Sequence, residues 1–268
     1  MNTAQYPAAS MVIAQHSVAS RTGAEGGVIT VHRTMATVPL TASDVVTAFA
    51  LSAAFTALAF VLAPGLFSLW KWTFVHLGAA LGLQGSLRYV PAALVGDSIP
   101  MLAVSAAQPS SAALVTGALV VLALLVAARM TGDRVLPLTY VLRAIALVLA
   151  TAVVVHALDD RPPSFDLPAY TRTLLKVSAG IWLFVPIGYG LTLFLLDITW
   201  TRKAALMALA LTHLALFVPL QTLLTQYVVQ HLSLLVLPLV FVFAGILPQI
   251  AVVIALYSWG ASWPARTR

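Results

Sequence analysis

Long apolar runs separated by short polar links dominate the pattern along this chain. Each of six runs is long enough to cross the hydrocarbon core of a bilayer as a helix, which takes about 18 to 20 residues. A soluble domain cannot bury so much apolar surface. The pattern therefore predicts an all-α integral membrane protein built as a bundle of about six transmembrane helices. The predicted spans cover residues 44–70, 111–129, 135–157, 173–197, 204–229 and 231–258.

The links indicate which helices are neighbours. Spans 2 and 3 are joined by residues 131–134, and spans 5 and 6 meet around Gln230 without a charged residue. Short links favour antiparallel neighbours, so both pairs are expected to form helical hairpins. The stretch 72–110 is apolar but interrupted by glycine and proline. This composition favours a re-entrant or surface-lying segment over a seventh span.

Prolines within the predicted spans indicate bent helices. Span 4 carries Pro186, Gly188 and Gly190 near its middle, where proline removes a helix hydrogen bond and the glycines loosen the backbone. One interpretation is that the break exposes carbonyl groups to a substrate. The other is a simple kink that lets helices pack, and Pro219 and Pro238 in spans 5 and 6 fit this second interpretation.

Polar segments flank the membrane domain. Residues 1–43 are rich in Gly, Ser, Thr and Ala, and Glu25 is their only acid. They lack the apolar core of a secretory signal peptide. We expect a flexible tail there, with an organelle transit peptide as the alternative. A helical membrane domain over 44–263 and a basic tail over 264–268 follow.

Composition supports lipid as the solvent for most of the chain. Charged residues make up 8% of the 268 residues, whereas about 25% is usual for a soluble domain. The net charge of +6 comes from 14 Lys and Arg against 8 Asp and Glu. The basic residues are scattered over links and span ends, which indicates contact with anionic lipid headgroups and not with nucleic acid. The absence of cysteine excludes disulfides and thiolate chemistry.

The basic residues also predict the orientation, because Lys and Arg concentrate on the cytoplasmic side. The two tails and the 2–3 and 4–5 links carry eight of them on one side, and the opposite side carries five. Both termini are therefore expected in the cytoplasm. The expected location is a bacterial inner membrane, with the mitochondrial inner membrane as the alternative.

Four polar residues on four predicted spans share a similar depth. With a rise of about 1.5 Å per residue, Arg143 and His213 lie about 12 Å and about 13 Å inside their spans, and Tyr189 and Gln249 match them. A charge within a span costs about 2.5–3.5 kcal/mol on insertion scales, so it usually faces the bundle interior or a cavity. The layer is a candidate site for an anionic substrate. The alternative for Arg143 is snorkelling to the interface.

Three histidines are candidates for a metal or haem. His76, His156 and His231 fall at the opposite boundary, close to Asp159 and Asp160, but they lack the regular spacing of a ligand motif. A haem held by two histidines needs both at one depth, and His213 has no such counterpart. No cofactor is therefore predicted, with haem as the alternative.

The sequence contains no nucleophile elbow, no paired carboxylates within a span and no phosphate-binding loop. The first hypothesis is a non-catalytic subunit or accessory component of a larger membrane assembly. Its partners would be membrane lipids and either other membrane proteins or further copies of the chain. The alternatives are a small transporter or channel that carries an anion through the polar layer, a haem- or quinone-linked membrane anchor, and an intramembrane enzyme for lipid-linked substrates that uses His213 as acid or base.

Overall fold

The computed structural model describes residues 42–91, 98–131, 135–158, 166–193, 195–196 and 198–263. The two predicted tails lie almost wholly outside these residues, as do Asp159 and Asp160. Helices and one β-hairpin make up the described part. The elements in chain order are α1 (Ala42–Ala80), β1 (Gly85–Pro91), β2 (Ser98–Val104), α2 (Ser111–Met130), α3 (Leu136–Leu158), α4 (Leu167–Leu193), α5 (Trp200–Leu232), a 3-10 turn (Leu234–Val236), α6 (Leu237–Ala244) and α7 (Ile246–Ala261).

Within the described residues, six helical segments are long and apolar enough to cross a membrane, counting the 3-10 turn, α6 and α7 together as the sixth. The predicted all-α membrane bundle is therefore confirmed. Several boundaries differ from the predicted ones. α4 begins at Leu167 because Asp166 caps it: the Asp166 carboxylate accepts a hydrogen bond from the backbone N–H of Ala169 at 2.7 Å. The sixth span is interrupted at Gly245, where α6 ends and α7 begins.

The first helix is longer than its predicted span, ending at Ala80 and not at Trp70. The extra turns are held by burial, since Thr73, Phe74 and Gly78 all face the protein interior. Gly82 follows two residues after the helix ends, and its φ of +68° is a left-handed conformation that glycine adopts without steric cost. Part of the stretch predicted to be re-entrant or surface-lying is thus the end of α1.

The rest of that stretch contains an antiparallel β-hairpin, in which Gly85 pairs with Val104 and Pro91 pairs with Ser98. Strand β2 packs on α1 and α4, and the side chains of Ile99, Met101 and Val104 are at most 1% exposed. Residues on both faces of β2 are buried. The alternation of apolar and polar residues that marks a half-buried strand is therefore missing from its sequence.

The core lies where α4 and α5 pack together, with α1, β2 and α7 around them. Its largest fully buried side chains include Trp70, Phe74 and Tyr170. Helices α2 and α3 form the predicted hairpin, and this hairpin stands at the edge of the bundle. It packs against the 3-10 turn and α6, and only Gly117 and Ala128 of α2 are buried.

Candidate functional site

The structure separates the four residues of the predicted polar layer. Tyr189 on α4 and Gln249 on α7 are buried in the bundle, and His213 on α5 is half-buried. Arg143 is exposed on α3, which packs on α2, α6 and the 3-10 turn. Of the four residues, Tyr189 and Gln249 thus lie in the bundle interior, and Arg143 does not join them.

Gln249 belongs to a buried chain of hydrogen bonds that links three helices. Its amide Nε2 donates to the hydroxyl of Ser178 on α4 at 2.9 Å and to Oε1 of Gln221 on α5 at 2.9 Å. The Ser178 hydroxyl donates back to Oε1 of Gln249 at 3.0 Å. Ser178 and Gln249 are fully buried, and Gln221 is 6% exposed. Inside the bundle, polar groups of this kind are held in place by their pairing with one another.

Gln221 extends this chain to the break between α6 and α7. Its Nε2 donates to the carbonyl oxygens of Ala244 and Gly245. Pro248 has no backbone N–H, so the carbonyl of Ala244, four residues earlier, lacks its usual helical donor. The side chain of Gln221 supplies the missing donor. We call Ser178, Gln221 and Gln249 the amide cluster.

The residues at the predicted break in α4 also make contacts within the bundle. α4 continues through Pro186 to Leu193. The carbonyl oxygen of Pro186 accepts a hydrogen bond from the hydroxyl of Ser52 on α1 at 2.7 Å. A Cβ on Gly190 would lie 2.5 Å from the Cβ of Ser52, whereas a Cβ on Gly188 would meet nothing within 4 Å. Gly190 therefore permits α1 and α4 to approach closely.

Two residues of the predicted layer, Tyr189 on α4 and His213 on α5, make contacts outside the amide cluster. The hydroxyl of Tyr189 donates to the carbonyl oxygen of Val253 on α7 at 2.9 Å. The ring of His213 stacks on Phe217, one turn further along α5, with ring centroids 4.9 Å apart. Nε2 of His213 is buried and has no hydrogen-bond partner among the described residues. Among the described residues, no group is therefore placed to exchange a proton with Nε2 of His213.

A second polar contact involves a residue absent from the predicted layer. Gln226 is fully buried on α5, and its Nε2 donates to the carbonyl oxygen of Leu102 on β2 at 2.6 Å and to the hydroxyl of Thr171 on α4 at 3.4 Å. The sequence signal for Gln221 and Gln226 was available. Two amides in one apolar span both need partners, because an unpaired amide in a dry interior is costly.

The three boundary histidines do not come together. Nδ1 of His76 lies 2.9 Å from the carbonyl oxygen of Trp72, and the same contact to the residue four positions earlier recurs at His156 and His231. The rings of His76 and His231 also pack on Trp72 and Tyr227 of their own helices. Over the part of the chain that the structure describes, no group of three or more His, Asp or Glu side chains is placed to hold a metal.

Arg143 instead lines a polar groove at the end of the hairpin where α2 leads into α3. We call it the hairpin groove. It has a volume of about 320 Å³. A hydroxyl pair spans it, since the Oγ1 atoms of Thr131 and Thr139 are 2.7 Å apart. The groove is lined by Ala128, Arg129, Thr131, Leu136, Thr139, Tyr140 and Arg143.

Two further grooves lie against the bundle and are mainly apolar. One, of about 260 Å³, lies between α4 and the α6–α7 break and includes Tyr170 and Phe241. The other, of about 400 Å³, lies between α4 and α7 and includes Tyr189 and Tyr257. No residue of the amide cluster lines either groove. The apolar lining of both grooves is typical of clefts that face lipid.

Comparisons of the chain with protein-family models, with curated proteins and with solved structures find no match. The function of the chain is therefore inferred from its fold and from the placement of its polar groups. Six apolar helices around a hydrogen-bonded interior make this chain a polytopic integral membrane protein.

Proposed function

We propose that this protein is a non-catalytic subunit or accessory component of a larger membrane assembly. The observation that carries the proposal is an exposed row of small side chains on α2. Ala112, Thr116, Ala123 and Ala127 lie on one side of α2, with Leu119 between the two pairs, and all of these residues are exposed. Small residues on a membrane helix let another helix approach closely, which is how membrane helices associate.

Another side of α2 faces the protein's own bundle. Gly117 lies there: a Cβ at this position would be 2.8 Å from Leu235 of the 3-10 turn and 3.0 Å from Val153 of α3. α2 thus uses one small-residue contact within the chain and has a second small-residue face available. We assign this second face, from Ala112 to Ala127, to a transmembrane helix of another chain.

The interior of the bundle supports a structural role for its polar groups. In the amide cluster, the amides of Gln221 and Gln249 bond to each other, to Ser178 and to the carbonyls at the α6–α7 break. A substrate site in the same place would require these bonds to open. The exposed position of Arg143 also removes the one cation from the predicted anion-binding layer, which weakens the transporter hypothesis.

The first test is affinity purification of the full chain from native membranes in mild detergent, followed by mass spectrometry and an absorbance scan of the same sample. We expect partner chains, or further copies of this chain, in fixed stoichiometry. Recovery of this chain as a single, colourless copy would overturn the proposal. The anion-transporter alternative would then be tested by anion uptake. A haem absorbance band would favour the membrane-anchor alternative.

The α2 face is tested by a matched pair of variants. Ala123→Leu adds bulk on the small-residue face, and Ala208→Leu adds the same bulk at an exposed alanine of α5. We expect Ala123→Leu to reduce partner recovery severalfold and Ala208→Leu to leave it unchanged. A photo-crosslinking residue at Leu119, compared with one at Leu216, should then capture the partner only from α2. Equal behaviour of the two helices would contradict the assignment.

A further inference from the structure

The hairpin groove concentrates positive charge at the junction of two membrane helices. Arg129 lies in the last turn of α2, and Arg143 lies two turns into α3; both are exposed and both line the groove. Arginine presents several N–H donors in a planar fork that matches the oxygens of a phosphate group. We propose that the hairpin groove binds the phosphate group of an anionic ligand.

The neutral lining adds hydrogen-bonding groups of the same kind. Thr131, Thr139 and Tyr140 bring three hydroxyls to the groove, and Tyr140 is 64% exposed. The two threonines are tied to each other at 2.7 Å, and Thr131 also donates to the carbonyl of Ala128 at 3.0 Å. These bonds join the end of α2 to the start of α3. They therefore hold the two arginine-bearing turns in a fixed relation.

Electrostatics favours an anion here for two further reasons. No described carboxylate lines the groove, and the sequence from 129 to 143 holds three arginines and only one aspartate. The groove also borders the first turn of α3, through Leu136 and Thr139. The N-terminal end of a helix carries partial positive charge and attracts anions.

The position of Arg143 within a membrane helix also favours the binding of an anion. Arg143 is seven residues beyond Leu136, which places its Cα about 10 Å along α3. An arginine within a membrane span is energetically costly unless it reaches polar groups. A phosphate at headgroup level that enters the groove would neutralise both arginines. Basic pockets between membrane helices are known to hold the headgroups of anionic lipids in this way.

The groove is separate from the interior of the bundle. Among the described residues, those that line it belong to α2, α3 and the segment that joins them, and none belongs to α4, α5 or α7. The phosphate group is therefore bound at the lipid-facing edge of the protein. Two sources have this chemistry, an anionic phospholipid and free inorganic phosphate, and the experiment must distinguish them.

The test uses the full chain purified in detergent, with lipid retention measured by native mass spectrometry. Dioleoylphosphatidylglycerol is the anionic probe, and dioleoylphosphatidylcholine, whose phosphate is neutralised by choline, is the comparison. We expect preferential retention of the anionic lipid. Removal of one arginine by Arg143→Gln should lower its apparent affinity about fivefold, as expected for one basic residue at a membrane surface. The Arg129→Gln/Arg143→Gln double variant should lower it further.

Arg172→Gln is the matched control, because Arg172 is an exposed arginine on α4 outside the groove. It should bind the anionic lipid as the unaltered chain does. Arg143→Lys keeps the charge at the groove and should retain binding, which separates loss of a site from loss of folding. Equal retention of both lipids, or equal effects of Arg143→Gln and Arg172→Gln, would overturn the proposal.

Inorganic phosphate added in competition identifies the source. One outcome is that inorganic phosphate displaces the anionic lipid from the unaltered chain but does not change the lipid binding that remains in the Arg143→Gln variant. In that case the groove binds free phosphate. If it does not displace the lipid, the lipid headgroup is the ligand. Failure of the groove to bind either the lipid or phosphate would refute the assignment.

Discussion

The indole N–H of Trp70 donates to the carbonyl oxygen of Ala215 at 2.9 Å, across the contact between α1 and α5. This carbonyl is the one left without a helical donor by Pro219, four residues later. Gln221 plays the same role for the carbonyl of Ala244 opposite Pro248. Side chains from neighbouring segments thus compensate two of the proline breaks, as the dry interior of a membrane bundle requires.

Trp70→Phe should lower the stability of the protein in detergent by about 1–2 kcal/mol, since it removes the donor and leaves the carbonyl of Ala215 unpaired. The penalty should shrink in a Pro219→Ala background, where the new backbone N–H of residue 219 can serve that carbonyl. Unfolding in denaturing detergent measures both effects. Trp72→Phe is the control, because Trp72 is 55% exposed. An equal Trp70→Phe penalty in both backgrounds would show that the hydrogen bond is not its cause.

Gln221→Leu should destabilise the protein by about 2 kcal/mol, because it leaves buried carbonyls at the α6–α7 break and an amide hydrogen of Gln249 without partners. Gln249→Leu should also be destabilising. The double variant should cost less than the sum of the two, since both members of one network are then gone. Thermal unfolding in mild detergent gives all three values. Gln108→Leu, at an exposed glutamine of the link before α2, should have little effect, and strict additivity would argue against a coupled network.

Gly190→Ala and Gly188→Ala should differ in sign although they lie two residues apart on α4. A Cβ at Gly190 would come within 2.5 Å of Ser52 and would push α1 away from α4, which we expect to cost about 1–3 kcal/mol. A Cβ at Gly188 meets nothing, so that variant should be neutral or slightly more stable through its better helix propensity. Thermal unfolding compares the two.

Ser52→Gly provides the check on the cause of the Gly190→Ala effect. Removing the Cβ of Ser52 should make the added cost of Gly190→Ala smaller than it is in the unaltered chain. If Gly190→Ala is as stable as Gly188→Ala, the close approach of α1 to α4 is not a determinant of stability.

The sequence predicted the number of spans and the α2–α3 hairpin because both depend on runs of apolar residues and on short links. It also predicts a depth for each polar residue along its helix. Depth does not determine rotation about the helix axis, and Arg143 shows the difference, since its predicted depth matches that of Gln249 but Arg143 is exposed and Gln249 is buried. Rotation depends on which neighbour each helix packs against, and the apolar residues surround these helices too evenly to reveal it.

Two features could not be predicted for other physical reasons. Strand β2 is covered on both faces, so its sequence lacks the alternating pattern of a half-buried strand. The role of Gln221 depends on a carbonyl freed more than 20 residues away, at the break after Ala244. A single amide in an apolar span signals the need for a partner but does not identify the partner.

The hydroxyl pair of the hairpin groove can be tested because the chain contains no cysteine. The Oγ1 atoms of Thr131 and Thr139 are 2.7 Å apart, so the variant with cysteine at both positions should form a disulfide under mild oxidation. Protection of both thiols from a maleimide of known mass, added after the protein is denatured, measures the bond. The control pairs Thr131→Cys with Thr151→Cys, whose site lies about 18 Å further along α3 and should stay reactive. Equal protection in both variants would contradict the described junction of α2 and α3.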